Sequence, residues 1–312
     1  MLRSCARSYN RILRPYWGAP VARSFASDTP SEDPIRYLVI DGYKKSAREE
    51  LDNGGATPAG LLYEKMLDHC TPAPSKCDIV YPCDEDFVIP TVSELAGYDG
   101  VAWTGCSLTV FDDTPEVKAQ IEFGKRVFEA GTPAFGSCWA LQIATMAAGG
   151  QCALNPSGRE MGFSRKIKLT PEGRAHPMFE GKPSVFDAFT SHNDEVTHLP
   201  PCSLNLAGNT WTNIQAAAIV HRGATFWGVQ YHPEYDLKEM ARLTYCRIPK
   251  LIEMGILKDE ESGLKYVQQL EDLHEDPTRL DIKWMLGVDG DTMNDDIRLC
   301  EVRNWIRHQV MW

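Results

Sequence analysis

Pro133-Ala134-Phe135-Gly136-Ser137-Cys138-Trp139-Ala140-Leu141-Gln142 sets a cysteine between two segments of opposite character. Before it, Phe135 and its neighbours have the pattern of the end of a short buried strand. After it, Leu141 to Ala148 has good helix propensity, and Gly149-Gly150 closes the helix. A cysteine at that junction sits on a sharp strand-to-helix turn, with small residues on both sides that let the backbone fold tightly. That is the geometry of a nucleophile elbow. A helix N-terminus favours negative charge, so a thiolate is stabilised there.

A thiolate that attacks an amide carbonyl needs a base able to protonate the leaving amine, and a third group to orient that base. Tyr231-His232-Pro233-Glu234 offers both. His232 is the candidate base. Glu234, two residues on in an extended segment, points to the same side, and Pro233 stiffens the link. The order cysteine, histidine, glutamate differs from the nucleophile, acid, histidine order of the α/β-hydrolases. The tetrahedral intermediate also needs donors for its oxyanion. The backbone N–H of Trp139 is one candidate, and the Gly105-Cys106 turn after a neighbouring strand supplies another. No cofactor is expected.

Outward from the elbow, the chain alternates strands and helices. Ile35 to Asp41, Cys77 to Tyr81, Asp99 to Trp103 and Ala134-Phe135 are strand-like. Helices are expected from Thr57-Pro58 and from Thr114-Pro115, with a polar loop through Asn53-Gly54-Gly55. This order predicts an α/β fold with a mostly parallel sheet covered on both faces. Functional residues then collect at the carboxyl ends of the strands, where Asp41-Gly42, Gly105-Cys106 and Cys138 all fall. Beyond Gly162 the pattern becomes more β-like, with strands over 163–169 and 184–189. An antiparallel pair over 214–220 and 224–230 follows, and its second strand delivers His232. After Tyr235 the chain turns helical, near 237–255, 260–273 and 293–309.

The chain has 312 residues, a net charge of -11, 43% hydrophobic and 24% charged residues. That is the composition of a soluble globular protein. The acidic balance argues against broad nucleic-acid binding, and no apolar run approaches the length of a membrane span. The ten cysteines show no disulfide framework and no Cys-x-x-Cys metal pair, so mostly free thiols are expected and no metal site. Asp289-Gly290-Asp291 has the look of a calcium loop but no closing glutamate, and is better taken as a helix cap. Trp284, Trp305 and Trp312 are expected to pack.

Residues 1–27 stand apart. Arg3, Arg7, Arg11 and Arg14 recur at helical spacing opposite Leu2, Tyr9, Ile12 and Leu13, and no acid occurs before Asp28. This matches a removable mitochondrial targeting segment. The expected location is the matrix, with the cytoplasm as the alternative.

Gly136-Ser137-Cys138-Trp139-Ala140-Leu141-Gln142 together with Val229-Gln230-Tyr231-His232-Pro233-Glu234 resembles a class I glutamine amidotransferase domain. Within that family the likeness is to the stand-alone, GMP-synthase-like glutaminase domains, and it covers residues 35–236. Thr104-Gly105-Cys106-Ser107 is similar to the family's oxyanion turn, and Gly158-Arg159-Glu160-Met161-Gly162 to its substrate loop. Ser191-His192-Asn193-Asp194-Glu195-Val196 resembles its Ser-His-Gly-Asp-x-Val segment. The resemblance implies a flavodoxin-like domain over 28–236 and a helical extension over 237–312. It also implies Cys138 as nucleophile, His232 as base and Glu234 as its orienter. Gln142 and the backbone of Ser191, His192 and Asn193 would contact the γ-glutamyl group of the substrate.

Three positions depart from the family pattern. Ala140 and Asn193 stand where glycine is usual, and Cys106 where glycine or serine is. Asn193 is expected to supply the left-handed backbone of the missing glycine, and Ala140 to widen the strand–helix approach.

The reaction implied is cleavage of a γ-glutamyl amide through a Cys138 thioester. The substrate would be glutamine, with ammonia passed to a separate synthetase, or another γ-glutamyl compound hydrolysed by the chain alone. The sequence leaves both open. No P-loop is present. The helical tail fits a sheet cover, a homodimer contact or a synthetase dock equally well. An inactive binding subunit on the same fold is a further reading. A DJ-1-like cysteine hydrolase is disfavoured by the His-Pro-Glu segment.

Overall fold

The computed structural model describes residues 33–311; the basic segment 1–27 and Trp312 lie outside the described residues. Eleven strands are described: β1 Ile35–Ile40, β2 Ser75–Val80, β3 Gly100–Trp103, β4 Ala134–Ser137, β5 Gln151–Leu154, β6 Glu160–Leu169, β7 Val185–His192, β8 Asp194–His198, β9 Leu204–Gly208, β10 Ala216–His221 and β11 Ala224–Val229. Nine form one sheet in the order β2-β1-β3-β4-β11-β10-β9-β6-β7, and β5 pairs with β8 in a small second sheet. From β2 to β11 the neighbours run parallel. From β11 to β7 they run antiparallel. The parallel α/β half and the β-richer second half therefore share one continuous sheet.

The parallel strands are buried on both faces, as helix-covered strands must be. In β1, Tyr37 and Val39 join one core, with Ala102, Phe135 and Trp227. Leu38 and Ile40 join the other, with Trp103 and Phe226 under the helices Pro115–Ala130 and Trp139–Ala147. Thr114 opens the first of these helices as expected, its hydroxyl accepting from the Val117 N–H at 3.4 Å.

Local expectations failed at several places. The polar segment before Gly54 is a helix, Lys45–Asn53, which buries only Leu51. One buried residue leaves little apolar periodicity to detect. The strands β5, β8 and β9 are short and half exposed, and lacked a period-2 signal for the same reason. In the tail, helices Leu237–Glu253 and Glu260–Glu275 lie where expected. The helix expected over 293–309 is broken into Gly290–Met293, Asp295–Arg298 and Cys300–Trp305, with a wider turn over Ile306–Val310. Asp289 caps the first of these, its Oδ1 accepting from the Asp291 N–H at 3.1 Å.

The tail is part of the fold. Leu299, Val302, Trp305 and Ile306 belong to the core beneath β1, β3 and β4. The Trp305 ring lies 5.9 Å from Tyr37 and 5.8 Å from Phe135. Gly100 makes room for it, since a Cβ there would sit 2.8 Å from the Trp305 ring. Lys182 and Glu301 form a fully buried ion pair at 2.9 Å, and the Tyr231 hydroxyl donates to the same carboxylate. Trp284 departs from the expectation that it packs: it is 84% exposed, beside exposed Leu280 and Met285. No helix among the described residues is long and apolar enough to cross a membrane.

Candidate active site

Cys138 follows β4 with φ 52° and ψ −102°, a left-handed backbone that side chains rarely adopt. The elbow is held by the Cys138 N–H, which donates to the Val229 carbonyl at the end of β11 (2.7 Å). Glycine is needed one turn earlier than the family pattern suggests. A Cβ on Gly136 would lie 2.4 Å from the Ala140 Cβ and 2.5 Å from the Trp103 carbonyl. The extra methyl of Ala140 therefore sits against a glycine on the strand, which supplies the clearance it needs. Trp139 begins the helix, and its Nε1–H donates to Gln120 Oε1 (2.8 Å), fixing the residue whose N–H is the oxyanion candidate.

His232 arrives three residues after β11, its N–H donating to the Phe189 carbonyl (2.8 Å). Nδ1–H donates to Glu234 Oε1 at 2.7 Å. The imidazole also stacks on Tyr235, with centroids 4.2 Å apart and planes 4° from parallel. Burial opposes its charge, but the Glu234 carboxylate and the Cys138 sulfur outweigh burial and push its pKa up to about 9. The Cys138 sulfur acts on the ring both through hydrogen bonding and as a nearby charge.

Gly105 completes the pocket from the end of β3. A Cβ there would fall 2.8 Å from His232 Cε1 and 3.6 Å from Cys138 Cβ. This contact places the expected oxyanion turn against both the nucleophile and the base. Gly105→Ala is expected to lower kcat/KM by on the order of 100-fold by displacing the imidazole, with little change in thermal stability. Retained activity at an unchanged melting temperature would contradict that placement. The Cys106 thiol turns back into its own loop, accepting from the Leu108 N–H at 3.4 Å, and burial pushes its pKa well up. It is not a competing nucleophile.

Two buried residues absent from the sequence reading extend the His–Glu pair. The Tyr63 hydroxyl donates to Ser137 Oγ (2.6 Å), and Ser137 Oγ–H donates to Glu234 Oε1 (2.8 Å). Ser137 adjoins the nucleophile and was open to suspicion; nothing in the sequence marks Tyr63. Ser137→Ala is expected to cost about tenfold in kcat/KM, measured beside Tyr63→Phe, which breaks the same chain one step further away.

The expected substrate residues Gln142, Ser191, His192 and Asn193 all line the cleft beside Cys138. Gln142 lines the cleft beside Cys138, but its Nε2 is spent on the Asp194 carbonyl (3.1 Å) and Gln230 Oε1 (3.3 Å). His192 donates from Nδ1 to the Asp194 carbonyl (2.9 Å) and from Nε2 to Glu160 Oε2 (2.8 Å), with both ring nitrogens buried. Its ring therefore braces the loop, and only its backbone is left to meet a substrate. Burial opposes ionisation of Glu160, yet bonds from His192, Asn209 and Gln215 hold its carboxyl below the usual range. Asn193 is not among the described residues with positive φ, so the left-handed backbone expected there is absent. Its Oδ1 is instead a buried acceptor with no partner among the described residues, on the wall of the cleft. Ser191 places its carbonyl 4.0 Å from the Cys138 sulfur.

This cleft, of about 110 Å³, lies at the carboxyl ends of β3, β4 and β7. The family pattern described as Glutamine amidotransferase class-I matches residues 76–245. The chain belongs to this family. A gamma-glutamyl-L-1-hydroxyisopropylamide hydrolase of a Pseudomonas species is 30% identical over 283 residues, covering 89% of this chain and 94% of that protein. The glutamine-hydrolysing GMP synthase of Wolinella succinogenes is 37% identical over 110 residues, 35% of this chain. The chain spans only 20% of that synthase. Among solved structures, a glutamine amidotransferase from Thermotoga maritima aligns with TM-score 0.59 at 14% identity, covering 90% of this chain and all of that one. The likeness to that amidotransferase extends through the tail and shows the shared fold.

Proposed function

We propose that the protein hydrolyses the γ-glutamyl amide bond of a small molecule through a Cys138 thioester. The observation that carries this is the convergence of the Cys138 elbow, Gly105 and the His232–Glu234 pair. Cys138 Sγ attacks the γ-carbonyl carbon, and the N–H groups of Trp139 and the Gly105-Cys106 turn receive the oxyanion. The imidazolium gives its Nε2 proton to the departing nitrogen, which leaves as ammonia or an amine. Neutral His232 then takes a proton from water, whose oxygen attacks the thioester. Collapse expels the Cys138 thiolate beside the reprotonated His232, and the freed γ-carboxylic acid gives its remaining proton to solvent.

The near full-length match to a γ-glutamyl amide hydrolase supports the stand-alone reading. The partial matches to GMP synthases support the alternative, in which ammonia passes to a separate synthetase. The test is release of glutamate and amine from glutamine, glutathione and γ-glutamyl dipeptides, with Cys138→Ala as control. Preference for γ-glutamyl amides over glutamine is expected. Preference for glutamine favours the synthetase alternative, and turnover that survives in Cys138→Ala overturns the mechanism.

We also propose the mitochondrial matrix as the location, on the spacing of Arg3, Arg7, Arg11 and Arg14. Import and cleavage of the full chain by isolated mitochondria tests it. Exclusion of the chain from the organelles would count against it.

A further inference from the structure

Two arginines reach the cleft from separate parts of the chain. Arg159 precedes β6, and Arg247 lies on the tail helix Leu237–Glu253. Arg159 Nη2 and Arg247 Nη1 both donate to Ser191 Oγ, at 2.7 and 2.6 Å. Among the described residues neither guanidinium has a carboxylate within ion-pair distance, and Arg159 Nε is buried with no partner. Burial, and then the charge of Arg247, pull Arg159 down to about 10. Lys250 adds a third cation to the wall, where Asp194 is the only carboxylate. A chain with net charge -11 thus concentrates uncompensated positive charge beside its nucleophile. The Ser191 hydroxyl, with the Tyr43 hydroxyl accepting from Arg247 Nη2 at 3.4 Å, still leaves most of their donors unspent.

We infer that Arg159 and Arg247 form the receptor for the α-carboxylate of the γ-glutamyl group, so that the protein requires a substrate with that carboxylate free. The distances fit. Ser191 carries the guanidinium groups on its hydroxyl, and its carbonyl is 4.0 Å from the Cys138 sulfur. In a γ-glutamyl group the α-carboxylate carbon lies four bonds beyond the γ-carbonyl carbon, about 5 Å when extended. Paired guanidinium groups suit the planar carboxylate. Asn193 Oδ1, the buried acceptor without a partner, is on the same wall for the α-ammonium. Arg247 lies two residues beyond the region matched by the family pattern. The tail thereby contributes to substrate choice.

This inference rests on the γ-glutamyl reading above, and two measurements separate their failures. In the first, the full-length protein is alkylated with iodoacetate and with iodoacetamide, and labelling of Cys138 is followed by peptide mass spectrometry. The iodoacetate-to-iodoacetamide rate ratio is expected to exceed that of free cysteine by about tenfold. Arg159→Met and Arg247→Met should each collapse it, and Arg247→Lys should retain much of it. A ratio equal to that of free cysteine, or one unchanged in both Met variants, overturns the anion receptor whatever the substrate. In the second, γ-glutamyl-p-nitroanilide is compared with γ-aminobutyryl-p-nitroanilide, which lacks the carboxylate. Arg247→Met should raise KM for the first by roughly 30-fold or more and so narrow the preference for it over the second. Equal turnover of both by the unaltered protein overturns the inference. An elevated alkylation ratio with neither compound cleaved supports the receptor and counts against the γ-glutamyl reading.

Discussion

Glu234→Gln is expected to lower kcat/KM by on the order of 1000-fold or more while the fold is kept. The reason lies in opposed effects on one ring. His232 is buried, which favours its neutral form, and the adjacent carboxylate reverses that preference. With Glu234 ionised, the imidazolium persists until about pH 9. The alkaline limb of the rate profile should therefore fall there, where the proton needed by the leaving amine is lost. Removing the charge leaves only the Cys138 sulfur to oppose burial, so His232 should titrate well below 9. The alkaline limb then moves down in pH. The amide can also offer N–H where an acceptor is required, placing the wrong tautomer beside Cys138. Glu234 Oε2 has no other partner among the described residues, so His232 is the main counter-charge to this carboxylate. A pH–rate profile of the variant with its limb still near 9 would refute this account of the base.

Trp305→Ala is expected to destabilise the protein by about 3–5 kcal/mol and to lower the melting temperature by on the order of 5–10 °C. The indole is fully buried between Tyr37 and Phe135, under the strands that carry the site. Gly100 is shaped to receive it, so no neighbouring side chain is poised to fill the space. Because Tyr231, next to His232, bonds to Glu301 on the same tail helix, activity should fall at temperatures below the main unfolding transition. Denaturant unfolding followed beside turnover checks both parts. A loss under about 1 kcal/mol would mean that the tail is an appendage and that the core closes without it.

The parallel half of the fold was legible because its strands and helices carry strong signals. β1 and β3 are apolar runs ended by Asp-Gly and Thr-Gly turns, and Thr114-Pro115 opens a well-patterned helix. The elbow and the His-Pro-Glu segment stood out because their chemistry needs adjacent residues. What escaped depends on contacts distant in sequence. Tyr63 reaches Ser137 across 74 positions, and Arg247 reaches Ser191 across 56. A sequence also does not reveal that the Asp194 carbonyl takes up the Gln142 amide or that Glu160 holds the His192 ring. The tail showed helical periodicity, but the burial of Trp305 against Phe135 follows from the path of the chain.

The central claim is that Cys138 carries the glutamyl group as a thioester. Acid quenching during steady-state turnover of a γ-glutamyl amide, followed by intact-mass and peptide analysis, tests it directly. One glutamyl unit on Cys138, absent from Cys138→Ala and lost on treatment with hydroxylamine, is the predicted result. Turnover with no acylated peptide, or with the glutamyl unit on another residue, would contradict the account.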